Sequence, residues 1–411
     1  MTEDSTNPAI AIVGMSMWSP GAHDLQGFWE NVLARRMQFR KFPESRMSLD
    51  DYWSASPDDV DKTYADRGAF MDGFEFDWVG RRIPERTFKS TDLTHWLALE
   101  TALGALTDAG YSRGSVPTGR SAAIVGNSLT GEESRMWSMR LRWPYVKRAL
   151  AVAAEARQLD SSVADALAET MEEVYKGPLV EPSEDTRAGM LSNTIAGRIC
   201  NYLDFNGGGY VVDGACASGM LAVATAAEKL ASGAADFVLA GGVDVSLDPL
   251  ELVGFARLGA LTRGDMNVYD ASRSGFIPGE GCGFVALKRL EDARADGDYV
   301  YATIRGWGIS TDGKGGITKP RAETQAEMIR RAYSRAGFAA SEVAFVEGHG
   351  TGTPVGDPVE LAGVQQAAQT DGPVEARSIG MTSLKSLIGH TKAASGITAP
   401  HSRPRSDRKS V

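Results

Sequence analysis

The residue best placed to do chemistry is a cysteine, Cys216, in the stretch VVDGACASGM (211–220). A buried cysteine is ordinarily a small hydrophobe, but this one lies where an apolar run, YVVD, gives way to ASGMLAVATAAEKLASG, a helix-forming stretch that closes on Gly233. The spacing predicts a strand-to-helix turn. Ala215, Ala217 and Gly219 leave that turn uncrowded, as a nucleophile presented at a sharp elbow requires. An ordinary thiol, with a pKa of about 8.5, needs roughly 2 kcal/mol to reach half ionisation at neutral pH. A helix N-terminus supplies roughly 0.3 to 2 kcal/mol, so a neighbouring base is required as well.

Of the five histidines, His349 in VEGHGTGTPVGD and His390 in SLKSLIGHTKAASG lie in turns just after apolar runs. Both are expected at the same edge of a sheet as Cys216, where open α/β proteins build their sites. His23 sits in a polar loop, His95 on a helical pattern beside Trp96, and His401 near the C-terminus, and these are read as structural or solvated. Cys200, at the end of a helical pattern, and Cys282, before a strand, are read as structural. No glycine-rich phosphate loop of either common type follows a strand.

The elements that must position these residues alternate. Short apolar runs at 9–15, 121–126, 208–213 and 235–242 read as buried strands, and 92–109 reads as a helix with Asp92 before its first turn and Gly110 after its last. A second series follows: strands at 283–288, 299–308, 343–347 and 378–382, with helices at 322–336 and 357–369. The pattern is α/β, with two halves of similar order, each a βαβαβ-type unit. The expected division is 1–297 and 298–397. Segments 16–90 and 131–185 are too long for ordinary loops and are read as packed excursions that shape a channel or an interface.

The composition, 43% hydrophobic with 46 glycines and a net charge of −10, fits a globular enzyme and offers no basic stripe for nucleic acid outside the last residues. The N-terminus is polar and acidic and no run of 18 apolar residues occurs, so neither a signal peptide nor a membrane span is expected, and the expected location is cytoplasmic. Three scattered cysteines support neither a disulfide framework nor a metal site.

AIAIVGM, VDGACASG, GHGTGTPVGDPVE and TSLKSLIGHTKAASG, in that order up to about residue 397, resemble the β-ketoacyl synthases of polyketide and fatty-acid synthases. The resemblance implies a thiolase-like fold in a layered α/β/α/β/α arrangement and a homodimer. It implies a Cys-His-His site in which Cys216 accepts the acyl group and His349 and His390 act on a decarboxylating malonyl unit. Lys385 matches the family's lysine before the second histidine. Thr351 and Thr353 carry hydroxyls suited to a pantetheine arm or to bracing the turn. No cofactor is bound by such a domain. Its substrates are acyl and malonyl thioesters on the phosphopantetheine of an acyl carrier protein. The DGACAS form around Cys216 is most similar to the iterative type I synthases of the enediyne group, which make antibiotics, with polyunsaturated fatty-acid synthases as the nearest alternative.

Two other readings compete. A papain-like protease has its histidine roughly 130 positions after the cysteine, as here, but wants C-G-[SA]-C-[WY] near the mature N-terminus. A non-catalytic chain-length partner would lack the active cysteine. Finally, ITAPHSRPRSDRKSV lacks helical or alternating periodicity. Residues 398–411 are therefore expected to be an aberrant, disordered tail on an incomplete, C-terminally truncated second half, with weak or absent activity.

Overall fold

The computed structural model describes residues 8–398, apart from 57, 315 and 317. The segment 399–411, with His401, lies outside the described residues. Thr398 itself ends a short helix, Ser395–Thr398, and is buried.

Among the described residues, ten strands run in chain order: β1 (Ile10–Trp18), β2 (Arg40–Lys41), β3 (Arg67–Gly68), β4 (Ser121–Gly126), β5 (Gly209–Val212), β6 (Phe237–Asp244), β7 (Gly281–Arg289), β8 (Ala302–Ile304), β9 (Phe345–Glu347) and β10 (Gly380–Thr382). The main sheet has the order β5-β4-β6-β7-β1-β8. Strands β4, β5 and β6 are parallel, while β7 is antiparallel to both β6 and β1. β9 and β10 form a separate parallel pair, and β2 with β3 a small antiparallel one. The run predicted as a strand at 299–308 is regular only over β8, which adds to the edge of the first sheet beside β1. Cys282, expected just before a strand, lies inside β7.

Strand alternation assigns the two faces. Ala11, Val13, Ala123, Val125 and Leu239 point to one side, where the helices Leu93–Asp108 and Asn193–Leu203 cover them with Trp96, Leu99, Ile195 and Ile199. Ile10, Ile12, Ile124 and Val238 point to the other, against Ala222, Ala226 and Leu230 of the helix Ser218–Ala231. Met15 joins this second face although its number is odd, because a register shift between Ile12 and Gly14 inverts the alternation. Each fully buried Leu, Ile or Val contributes about 1.5 to 3 kcal/mol. Ala394 and Ile397 complete the second layer, so the helix that follows Cys216 packs against the segment that follows His390. That crossing needs glycine. A Cβ on Gly219 would stand 3.1 Å from the Ala393 carbonyl oxygen, and one on Gly242 would stand 2.9 Å from the same atom.

The excursion at 131–185 holds three helices, Glu132–Leu141, Trp143–Ala156 and Ser161–Lys176.

Candidate active site

Cys216 occupies a single 3-10 turn, Ala215–Ala217, between β5 and the helix Ser218–Ala231. Ala215 takes φ = 51°, a left-handed conformation unusual for a residue with a β-carbon. The turn is braced on both sides. Asp213 accepts the Ala215 N–H at 2.8 Å, and the Ser218 hydroxyl accepts the Gly214 N–H at 3.0 Å while donating to the Ala215 carbonyl at 2.7 Å. Gly126, at the end of β4, lets this elbow approach, since a Cβ there would lie 2.4 Å from the Ser218 carbonyl carbon.

His349 follows β9. Its backbone N–H and that of Gly350 both donate to the Glu360 carboxylate, at 2.5 and 2.9 Å, and its carbonyl accepts from the Ser383 hydroxyl at 3.1 Å. His390 is stitched by its backbone to the segment before β7: its N–H donates to the Ile277 carbonyl at 2.8 Å, and its carbonyl accepts from Gly279 N–H at 2.9 Å. The two imidazoles meet edge to face with centroids 5.3 Å apart. One ligand-type atom from each of Cys216, His349 and His390 lies within 4.8 Å of the others. Residues far apart in the chain thus converge on one point.

The hydrogen bonds fix the state of His390. Its Nδ1 accepts the Lys392 N–H at 3.0 Å, with the Ser395 hydroxyl also at 3.0 Å. A nitrogen that accepts an amide proton carries none, so the neutral ring holds its hydrogen on Nε2. Burial, then the neighbouring His349 ring and the ammonium groups of Lys385 and Lys392, hold the pKa well below the usual imidazole range. Surrounding protein and, after it, Lys385 push His349 down in the same direction, although that residue is exposed to solvent. Both rings are therefore neutral at pH 7. The half-buried Cys216 thiol is pushed up by burial, against the pull of Lys385 and Lys392. The helix and the lysines do not suffice to ionise the resting thiol, and it needs a proton acceptor when it reacts.

Lys385 is buried, which pulls its pKa down against the attraction of Glu347 and Glu360. Thr351 and Thr353 are engaged with each other at 3.0 Å, and Thr353 also accepts the Gly356 N–H at 3.0 Å, at the start of the helix Gly356–Ala368. Cys200, half-buried in its helix, and Cys282, whose burial pushes its pKa up to about 12, stand in other environments. His23 stacks on Trp18 at 4.5 Å, and His95 is wholly buried in its helix.

Sequence reasoning missed the acidic residues behind the His349 turn. Asp357 accepts N–H bonds from Gly352 at 3.0 Å and Tyr269 at 2.7 Å, and Glu360 also accepts the Tyr269 hydroxyl at 2.9 Å. The signal was available as D-P-V-E, two carboxylates three apart on one helix face beside the GHGTGT turn.

The β-ketoacyl synthase N-terminal domain model matches residues 7–293, and the C-terminal domain model matches 301–400. The chain is 33% identical over 393 residues to a polyunsaturated fatty acid synthase polypeptide of a Thraustochytrium species, covering 94% of this chain and 14% of that protein. It is 32% identical over 402 residues to a mycocerosic acid synthase-like polyketide synthase of Mycolicibacterium smegmatis, covering 96% of this chain and 17% of that one. Among solved structures, an oxazolomycin ketosynthase domain from Streptomyces albus superposes with a TM-score of 0.81 at 29% identity, over 96% of this chain and 61% of that one. This chain belongs to the β-ketoacyl synthase family, of the polyketide and polyunsaturated fatty-acid synthase type.

Proposed function

We propose that this domain lengthens a polyketide chain by decarboxylative Claisen condensation, with substrates delivered on the phosphopantetheine of an acyl carrier protein. The observation that carries this is the meeting of Cys216 with two neutral imidazoles, one of them locked as an Nε2–H donor.

In the first step the Cys216 sulfur attacks the carbonyl carbon of an acyl thioester. The new S–C bond forms as the carrier S–C bond breaks, and the thiol proton ends on the departing carrier sulfur, with His349 as the imidazole available to relay it. A malonyl thioester then loses CO2. The electron pair left behind becomes an enolate, whose oxygen is met by N–H groups of His349 and His390. The enolate carbon attacks the acyl carbon, the Cys216 S–C bond breaks to leave a thiolate that takes up a proton from solvent, and a β-ketoacyl thioester leaves on the carrier. Burial first, and Lys385 after it, hold both rings neutral, so each offers an N–H hydrogen bond without transferring a proton. Thr351 and Thr353 line the turn at which a pantetheine arm would enter.

The DGACAS form supports the enediyne-type group. The 33% identity to a polyunsaturated fatty acid synthase supports a second reading, in which the product is a fatty acyl chain. We read the chain as two halves meeting at 297/298, with excursions at 16–90 and 131–185, and as a homodimer. The edge of β5 away from β4, which carries no strand among the described residues, supports the dimer.

Mass spectrometry after incubation with acyl and malonyl carrier proteins tests the proposal. Acylation of Cys216 followed by a β-ketoacyl product is expected. An unacylated protein that nonetheless binds the carrier would favour a non-catalytic partner.

A further inference from the structure

A buried charge cluster adjoins His390 and takes no direct part in the condensation. Lys392 is 5% exposed and holds φ = 47°, the left-handed region that a β-carbon disfavours. Its Nζ pairs with Asp244 Oδ1 at 2.9 Å, donates to the Gly279 carbonyl at 3.1 Å and lies 3.6 Å from Glu251 Oε2. Asp244, the last residue of β6, also takes the Ala393 N–H on its other oxygen at 3.3 Å. Asp244 therefore grips the turn on both sides of the strained residue, by its side chain and by the amide that follows. The N–H of that same strained residue is the one seated on His390 Nδ1.

We propose that Asp244 and Lys392 are positioning residues for His390: their ion pair holds the 390–394 turn so that the Lys392 amide stays on Nδ1 and the ring offers Nε2–H to the enolate. The last clause rests on the condensation reading, while the tautomer lock does not. Glu251 belongs to the cluster but not to the device. It grips no backbone of the turn, and its Oε2 is buried without a hydrogen-bond partner.

The test compares Lys392→Met, Lys392→Arg, Asp244→Asn and Glu251→Gln in the full chain, with three readouts. These are acyl loading on Cys216, malonyl decarboxylation, and the His390 tautomer from 15N shifts of histidine-labelled protein. Lys392→Met and Asp244→Asn are expected to slow decarboxylation by about tenfold to a hundredfold while loading stays within about twofold, and to turn a single Nε2–H tautomer into a mixture. Lys392→Arg is expected to restore both, and Glu251→Gln to match the parent. A folded Lys392→Met protein with the parent's tautomer and the parent's ratio of decarboxylation to loading would overturn the proposal. So would a Glu251→Gln defect equal to that of Asp244→Asn. Should Lys392→Met fail to fold, Lys392→Gln is read by the same criteria. A parent protein that neither loads nor decarboxylates would sink the condensation reading and leave the tautomer arm to decide this one.

Discussion

At the scale of single residues, the proposed mechanism divides the labour by when charge develops. In that mechanism Cys216 bears charge during acyl transfer, with His349 relaying its proton, whereas His390 meets charge only when CO2 departs. Cys216→Ala should therefore abolish acyl loading altogether. Adducts should not reappear on Cys200, packed in its helix, or on Cys282, whose sulfur is wholly buried and protonated up to about pH 12. Peptide mapping after exposure to acyl carrier protein checks this, and persistent thioester at either cysteine would refute it. His390→Ala removes an enolate donor and should cut malonyl decarboxylation by about a hundredfold to a thousandfold while sparing loading. Measuring CO2 release and loading on one preparation separates the two. Equal losses would mark His390 as a general base or a folding residue.

At the scale of elements, the reactive geometry depends on places where backbone touches backbone. The elbow at Cys216 sits against the end of β4 only because position 126 has no side chain, and a Cβ there would fall within 2.4 to 2.6 Å of the Ser218 and Gly219 backbone. Gly126→Ala should thus cost about 1 to 3 kcal/mol through forced overpacking and depress loading, because the strand end or the elbow must move. A thermal melt with a loading assay tests it, and a variant that melts and loads like the parent would show that the elbow can give. Such contacts explain what the sequence could and could not tell. The elbow, the helix Leu93–Asp108 with its Asp92 cap, and both histidine turns were legible, because each is written in a contiguous pattern. The Glu360 brace was missed although D-P-V-E stands beside its turn, and the Asp244–Lys392 pair was not legible, since it joins a histidine turn to the end of a distant strand whose relevance only packing reveals. The strand predicted over 299–308 shortened to β8 for a related reason: beside β1, only Ala302–Ile304 find ladder partners.

At the scale of the whole molecule, buried ionisable groups make stability depend on pH in two opposed senses. His95 is fully buried, and burial, followed by the charge of Arg198, pushes its pKa down to about 3. The folded chain keeps it neutral while the unfolded chain protonates it below about 6.5, so stability present at pH 7 is lost as pH falls through 6.5 toward 3. At pH 5 that loss is about 2 kcal/mol for this one group. Glu133, Glu251 and Glu347 are each pushed up to about 7 by burial. Their folded forms take up protons before the unfolded chain does, so they stabilise as pH falls from 7 toward 4.5 and blunt the overall profile. The difference between the parent and His95→Gln cancels the glutamates and isolates the histidine. Whatever packing this substitution costs at pH 7.5, its penalty should shrink by about 2 kcal/mol at pH 5, because the variant has no ring to protonate on unfolding. Urea midpoints of both proteins at the two pH values measure this, and a penalty that stays the same from pH 7.5 to pH 5 would mean that His95 is not held neutral by the fold.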